Sequence, residues 1–178
     1  MSKILQSSGG VQRSDVYISF LVVGRSALCE HLSDGLHKRA KEKNWYIEVH
    51  KCESISEVLE NNISMCIDFI IFVFDSLMSA SIDWIETNIG LIDEHFIISG
   101  ACCLVHDNST LDIMSFVFHN LKEIRKKYNI RFLSAKISDP NRFNELENRI
   151  LALASTVLGL ESQIPTVINT PWNNYSID

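Results

Sequence analysis

Apolar positions along this chain fall into two alternating kinds of run. Over residues 17–23, Ile18, Phe20, Leu21, Val22 and Val23 are nearly continuous, as expected of a strand covered on both faces. From Ser26 to about Lys43 the period changes. Leu28, Leu32, Leu36 and Ala40 recur every four residues, which predicts an amphipathic helix with lysines toward its C-terminal end. Residues 45–51 alternate Trp45, Ile47 and Val49 with Tyr46, Glu48 and His50, the pattern of a half-exposed strand near a sheet edge. Ser54-Ile-Ser-Glu57 has the form of a capping box opening a short helix.

The most apolar run, "IDFIIFVF" over 67–74, predicts the central strand. Ile82, Ile85, Ile89 and Ile92 predict a helix over 81–93, and 100–105 predicts another buried strand. A helix follows over 110–128, with Met114, Val117, Leu121 and Ile124 on one side, and then a last strand over 130–137. Asp139-Pro140 places a capping side chain and a proline at a helix start. Phe143, Leu146, Ile150, Leu153 and Val157 step along that helix, and Gly159 suits its end. Strands alternating with helices predict a three-layer α/β fold: a mainly parallel sheet with helices on both faces. The expected organisation is a loose tail over 1–14 and one domain over 15–160. The segment 161–178, which holds two of the three prolines, is expected to be loose or to dock on a partner.

Length and composition change this picture little. A chain of 178 residues, 46% hydrophobic and 21% charged, matches one soluble domain burying about 70% of its unfolded surface. The net charge of −6 argues against a sequence-independent grip on nucleic acid, which needs clustered cations. Lys122, Arg125, Lys126 and Lys127 read first as a solvated helix face. No run is long enough to span a bilayer, and the first residues do not form a signal peptide. The five cysteines are then expected to be reduced, and the protein nuclear or cytosolic.

One stretch raises a chemical question. "LVVGRSALCEHL" over 21–32 carries an apolar strand into Gly24-Arg25-Ser26 and a helix, much as a phosphate-binding loop runs into its Gly-Lys-Ser/Thr. That loop needs Gly-x-x-x-x-Gly-Lys-Ser/Thr, so that consecutive amides wrap the phosphates. Counting from Gly24 puts Cys29, Glu30 and His31 on Gly-Lys-Ser; aligning Gly24-Arg25-Ser26 instead leaves Leu21, Val22 and Val23 where the loop should be. The guanidinium of Arg25 is also no simple replacement for a lysine point charge. Residues 48–74 contain no glycine for an Asp-x-x-Gly. Where guanine recognition would want Asn-Lys-x-Asp, the chain reads His106-Asp107-Asn108-Ser109, and only Ser134-Ala135-Lys136 matches a guanine-closing Ser-Ala-Lys. The site is therefore read as degenerate, with no cofactor expected.

Other chemistries are less favoured. A phospho-acceptor site at Asp75 with Lys136 wants an acidic pair after the first strand, where Gly24-Arg25 stands. Cys29 and His31 point to different faces of a helix, and Cys102 and Cys103 to different faces of a strand, so no metal site is expected. No Gly-x-Ser-x-Gly elbow supports a serine nucleophile.

The chain resembles the centromere protein M family of kinetochore subunits, themselves similar to small GTPases unable to bind nucleotide. The residues that carry the resemblance are 67–75, "IDFIIFVFD", a following serine-containing loop and the helix reaching Ile92-Asp93. His95-Phe-Ile-Ile-Ser-Gly100, Ala101-Cys-Cys-Leu104, Leu21-Val-Val-Gly24, Ala27-Leu28, Arg149-Ile-Leu151 and Leu158-Gly159 also carry it. The leucine-rich run expected near the C-terminus is replaced by Ile164-Pro-Thr-Val-Ile-Asn-Thr-Pro171. The resemblance implies a small-GTPase-like, Rossmann-like fold and a non-enzymatic structural role in the inner kinetochore. It also implies docking on the helical-repeat subunit centromere protein I, with proteins H and K, for chromosome segregation in mitosis. Trp84, Phe96, Ile97, Ile98, Val167 and Ile168, with Trp172, are the expected partner-binding set, since monomers seldom expose contiguous apolar area. The alternative reading is an active small GTPase with an atypical loop.

Overall fold

The computed structural model describes residues 5–6, 16–60, 65–75, 81–109 and 115–160. Its elements in order are β1 (Leu5–Gln6), β2 (Tyr17–Gly24), α1 (Ser26–Glu42), β3 (Tyr46–Cys52), α2 (Ile55–Glu60), β4 (Met65–Cys66) and β5 (Phe69–Asp75). There follow α3 (Ser81–Ile89), α4 (Glu94–Ile98), β6 (Cys102–Asp107), α5 (Ser115–Tyr128), β7 (Arg131–Ala135) and α6 (Pro140–Leu158).

Five strands form one sheet in the order β3-β2-β5-β6-β7, with every pair parallel. The fold is a Rossmann-like α/β sandwich. In chain order its strands run 2-1-3-4-5, the doubly wound arrangement that reverses direction between its first and third strands. Right-handed crossovers put α1 on one face and α3 and α5 on the other. On the first face α6 packs on α1, with the Phe143 ring 4.5 Å from that of His31. On the second, Lys127 of α5 reaches Glu86 of α3 at 3.0 Å.

Burial follows from this layering. Every residue of β5 is buried, because it is the middle strand and both faces are covered. β3, at the edge, exposes Tyr46, Glu48 and Lys51. Both ends of α6 match the reading of its sequence. The Asp139 carboxylate accepts the N–H groups of Asn141 and Arg142, Pro140 occupies the first turn, and Gly159 closes the helix at φ 69°. All five cysteines are free. Burial pushes the thiols of Cys29, Cys52 and Cys102 up to about 12, and that of Cys103 higher still, so these side chains behave as small apolar groups.

Three local expectations change. The helix predicted over 81–93 stops at Ile89, and a separate turn, α4, begins at Glu94. Asp93 caps it by accepting the His95 N–H at 2.8 Å. The Ser54 hydroxyl accepts the Ser56 N–H at 3.3 Å, while the Glu57 N–H goes to the Ser54 carbonyl; the capping box is not formed as predicted. Leu5–Gln6, in the expected tail, pair in parallel with Met65–Cys66. Residues 110–114 of the predicted fifth helix lie outside the described residues.

Candidate functional site

In a doubly wound sheet, ligands bind beyond the carboxyl ends of the strands, where the strand order reverses. Here that place lies between the ends of β2 and β5. Gly24 is the last residue of β2, Arg25 is the N-cap with φ −60° and ψ 137°, and Ser26 is already helical. No residues remain to form a phosphate-wrapping loop. Gly24 is required by packing instead. It pairs with Val73, and a Cβ at position 24 would lie 2.7 Å from Val73 Cγ1 and closer still to the Val73 carbonyl oxygen.

The groups that a phosphate would use are engaged within the chain. Arg25 Nη1 donates to Asp75 Oδ2 at 2.7 Å, joining the tips of β2 and β5. The guanidinium side chain is 55% exposed and the carboxylate only 12%, so Asp75 is the better desolvated partner and the hydrogen bond is charge-assisted. At the start of α1, where an anion would meet the positive end of the helix, the Ser26 N–H donates to Glu53 Oε1 at 3.4 Å. The adjoining cavity holds about 240 Å³ and is lined by Glu30, Glu53 and Glu57 against Lys51. It is smaller than common ligand pockets, and its carboxylates oppose a polyphosphate.

The far end of the sheet, compared with a guanine site above, is likewise committed to structure. Asp107 Oδ1 accepts the Ser109 N–H at 3.0 Å, the Ser109 hydroxyl at 2.5 Å and the Ile137 N–H at 3.1 Å. That carboxylate ties the loops after β6 and β7 together. The Ser134 hydroxyl lies 3.3 Å from His106 Nδ1, and Lys136 is exposed. His106 is packed between Phe74 and Phe132, and burial holds its imidazole below its ordinary value. A larger groove of about 690 Å³ runs between α1 and α6 beside His31, Asp34, Phe143 and Asn144; neither Arg25 nor Ser26 lines it. Among the described residues no three of His, Cys, Asp and Glu form a metal-holding group, and no helix is long and apolar enough to cross a membrane.

The expected partner-binding set is divided by the structure. Phe96 is only 1% exposed and belongs to the core, which corrects its assignment to a surface patch: the single turn of α4 points it inward. Ile97 is partly buried against the core, whereas Ile98 is 82% exposed. Trp84 is half-buried, and its indole N–H donates to the Glu53 carbonyl at 3.2 Å. Val167 and Ile168 lie outside the described residues. Of the degenerate loop, Gly24, Arg25 and Ser26 do come together at the reversal point. Asp75, considered from the sequence only as a phospho-acceptor with Lys136, and Glu53, which the sequence did not single out, complete that arrangement.

The chain matches no protein-family model and no curated protein. Among solved structures it is similar to the FeoB G-domain from Methanococcus jannaschii, with a TM-score of 0.48 and 11% identity over 79% of this chain and 99% of that one. It is also similar to a flavodoxin from Pseudomonas aeruginosa, with a TM-score of 0.41 and 12% identity over 81% of this chain and 99% of the other. A third is an oxidoreductase from Corynebacterium diphtheriae, with a TM-score of 0.45 and 10% identity over 83% and 97%. Likeness at this distance concerns the shape of the fold and carries nothing about activity.

Proposed function

We propose that this protein is a non-catalytic assembly subunit whose nucleotide position is filled from within. The observation that carries the reading is the Arg25–Asp75 ion pair, with the Glu53 carboxylate beside it on the first amide of α1. An incoming phosphate would compete with one carboxylate for Arg25 and with another for the helix start. The field of Glu30 and Glu57 adds to the penalty. A folded body without such a ligand still offers rigid helix faces, and the resemblance to the centromere protein M family supplies the setting. In that setting it is a nuclear protein of the inner kinetochore that docks on centromere protein I together with proteins H and K.

Ile98 is the described residue best suited to anchor such a contact, because it is a large apolar side chain held out on a capped turn beside Ile97. Co-purification with centromere proteins H, I and K tests the reading. The expected result is a stable four-protein complex on size exclusion. Ile98→Glu is expected to weaken it roughly tenfold or more, the scale of a hot-spot loss, with the melting temperature of the isolated subunit unchanged. Failure of the unsubstituted protein to enter the complex overturns the proposal. An undiminished complex with Ile98→Glu removes Ile98 from the interface.

A further inference from the structure

We propose that the C-terminal half of α5 and the outer edge of β7 form a docking surface for an acidic, extended segment of a partner polypeptide. Residues 122–136 hold six of the sixteen cations of the chain, Lys122, Arg125, Lys126, Lys127, Arg131 and Lys136, against one acid, Glu123. This is a net of +5 within a chain of net −6, so the remainder stands at −11. All six are exposed. Lys127 is engaged with Glu86 at 3.0 Å and lies over the Tyr128 ring. Among the described residues none of the other five forms an ion pair.

Two ordinary roles account for part of this cluster. Arg125, Lys126 and Lys127 sit in the last turn of α5, where cations complement the helix dipole. Arg131 and Lys136 flank a sheet edge, where charge discourages self-association. Neither role calls for six cations, nor for the near absence of acids, since a solvated face ordinarily mixes both signs.

The sheet adds a second, independent observation. β7 is the last strand and pairs with β6 alone, so among the described residues one row of its backbone N–H and C=O groups has no strand beside it. An extended peptide laid there gains ladder hydrogen bonds, and its carboxylates meet Arg131, Lys136 and the end of α5. A nucleic acid is the poorer occupant, because its long polyanion would also face the −11 carried elsewhere on a small protein. The surface shares no residue with the Ile98 contact, so each is tested without the other.

The test uses the full chain and a fluorescein-labelled peptide of about twelve residues alternating Glu and Thr, long enough to cover any typical strand. Fluorescence anisotropy compares it with the Gln-Thr isostere, a Glu-Pro peptide that cannot form a ladder, and a short DNA duplex. The Glu-Thr peptide is expected to bind saturably, roughly tenfold tighter than the Gln-Thr and Glu-Pro peptides, and more weakly as salt rises. Arg125→Glu with Lys126→Glu should lower its affinity roughly tenfold, whereas Lys38→Glu with Lys41→Glu, an equal change of net charge on α1, should leave it unaltered. If circular dichroism shows the reversed variant unfolded, Arg125→Gln with Lys126→Gln decides, and a smaller loss is expected. Absence of saturable peptide binding, equal loss in the α1 variant, equal binding of the Gln-Thr or Glu-Pro peptide, or preference for the duplex overturns the proposal.

Discussion

Gly24→Ala destabilises the fold by about 3 kcal/mol, the upper range for overpacking, and lowers the melting temperature by roughly 10 °C for a chain of this length. The added methyl group meets Val73 Cγ1 at 2.7 Å and the Val73 carbonyl closer still. Neither can retreat cheaply, since Val73 lies in the fully buried middle strand of the sheet. A phosphate-loop glycine would behave differently: its replacement would remove ligand binding before it removed the fold. Ser26→Ala is the internal comparison. Ser26 is exposed, and its backbone N–H rather than its hydroxyl meets Glu53, so thermal melting should move by little. Equal melting of Gly24→Ala and the unsubstituted protein contradicts the packing account of the Gly-Arg-Ser stretch.

Gly35→Ala is the second large effect, and its expected sign is opposite to helix propensity. In an exposed helix interior this change stabilises by about 1 kcal/mol. Gly35, however, faces α6: a Cβ there would lie 2.7 Å from the Glu147 carboxyl carbon, closer to Oε1, and 2.9 Å from Phe143 Cε1. Glu147 is 2% exposed and accepts from Arg39 Nε at 3.0 Å. Burial raises its carboxyl above the ordinary range, and Arg39 only partly offsets this. The pair is asymmetric, since Arg39 sits nearer solvent and also holds Glu42 at 2.6 Å. Displacing Glu147 therefore sacrifices the group that makes its burial tolerable, and Gly35→Ala should destabilise by about 1–3 kcal/mol. Truncation with Glu147→Ala makes room for the methyl group. The double variant should thus be more stable than the sum of the single changes by at least about 1 kcal/mol, the coupling expected of residues in contact. Urea unfolding of the four proteins measures this cycle. Additive effects, or stabilisation by Gly35→Ala alone, contradict the close packing of α1 on α6.

The pattern of apolar residues was enough to read the layered sheet because its informative strands are covered on both faces. β2, β5 and β6 read as nearly continuous apolar runs for that reason, and β3 alternates because it is an edge. Asp139, Pro140 and Gly159 announced both ends of α6 through local chemistry alone. The break between α3 and α4 was hidden, since Ile82, Ile85, Ile89 and Ile92 keep helical spacing across it. Only Asp93, capping the following turn, marks the restart. Phe96 was misassigned because one turn of helix has too few positions to reveal which face turns inward. The contacts that fill the reversal point were illegible for a different reason. Asp75 lies 50 residues from Arg25, and Glu53 lies 27 from Ser26. Local spacing showed that a phosphate loop was missing, but only the sheet order showed which carboxylates took its place.

The central claim is that this reversal point is closed to nucleotides by groups of the chain itself. Titrating the purified protein with a fluorescent GTP analogue and magnesium, alongside thermal melting in excess GTP, tests it most directly. The account predicts no saturable change in fluorescence and a melting temperature that does not move. A ligand at a hundred times its dissociation constant stabilises its protein by about 2.7 kcal/mol, which would raise the melting temperature of a chain this size by roughly 5–10 °C. A rise on that scale, abolished by Arg25→Ala, would contradict the account.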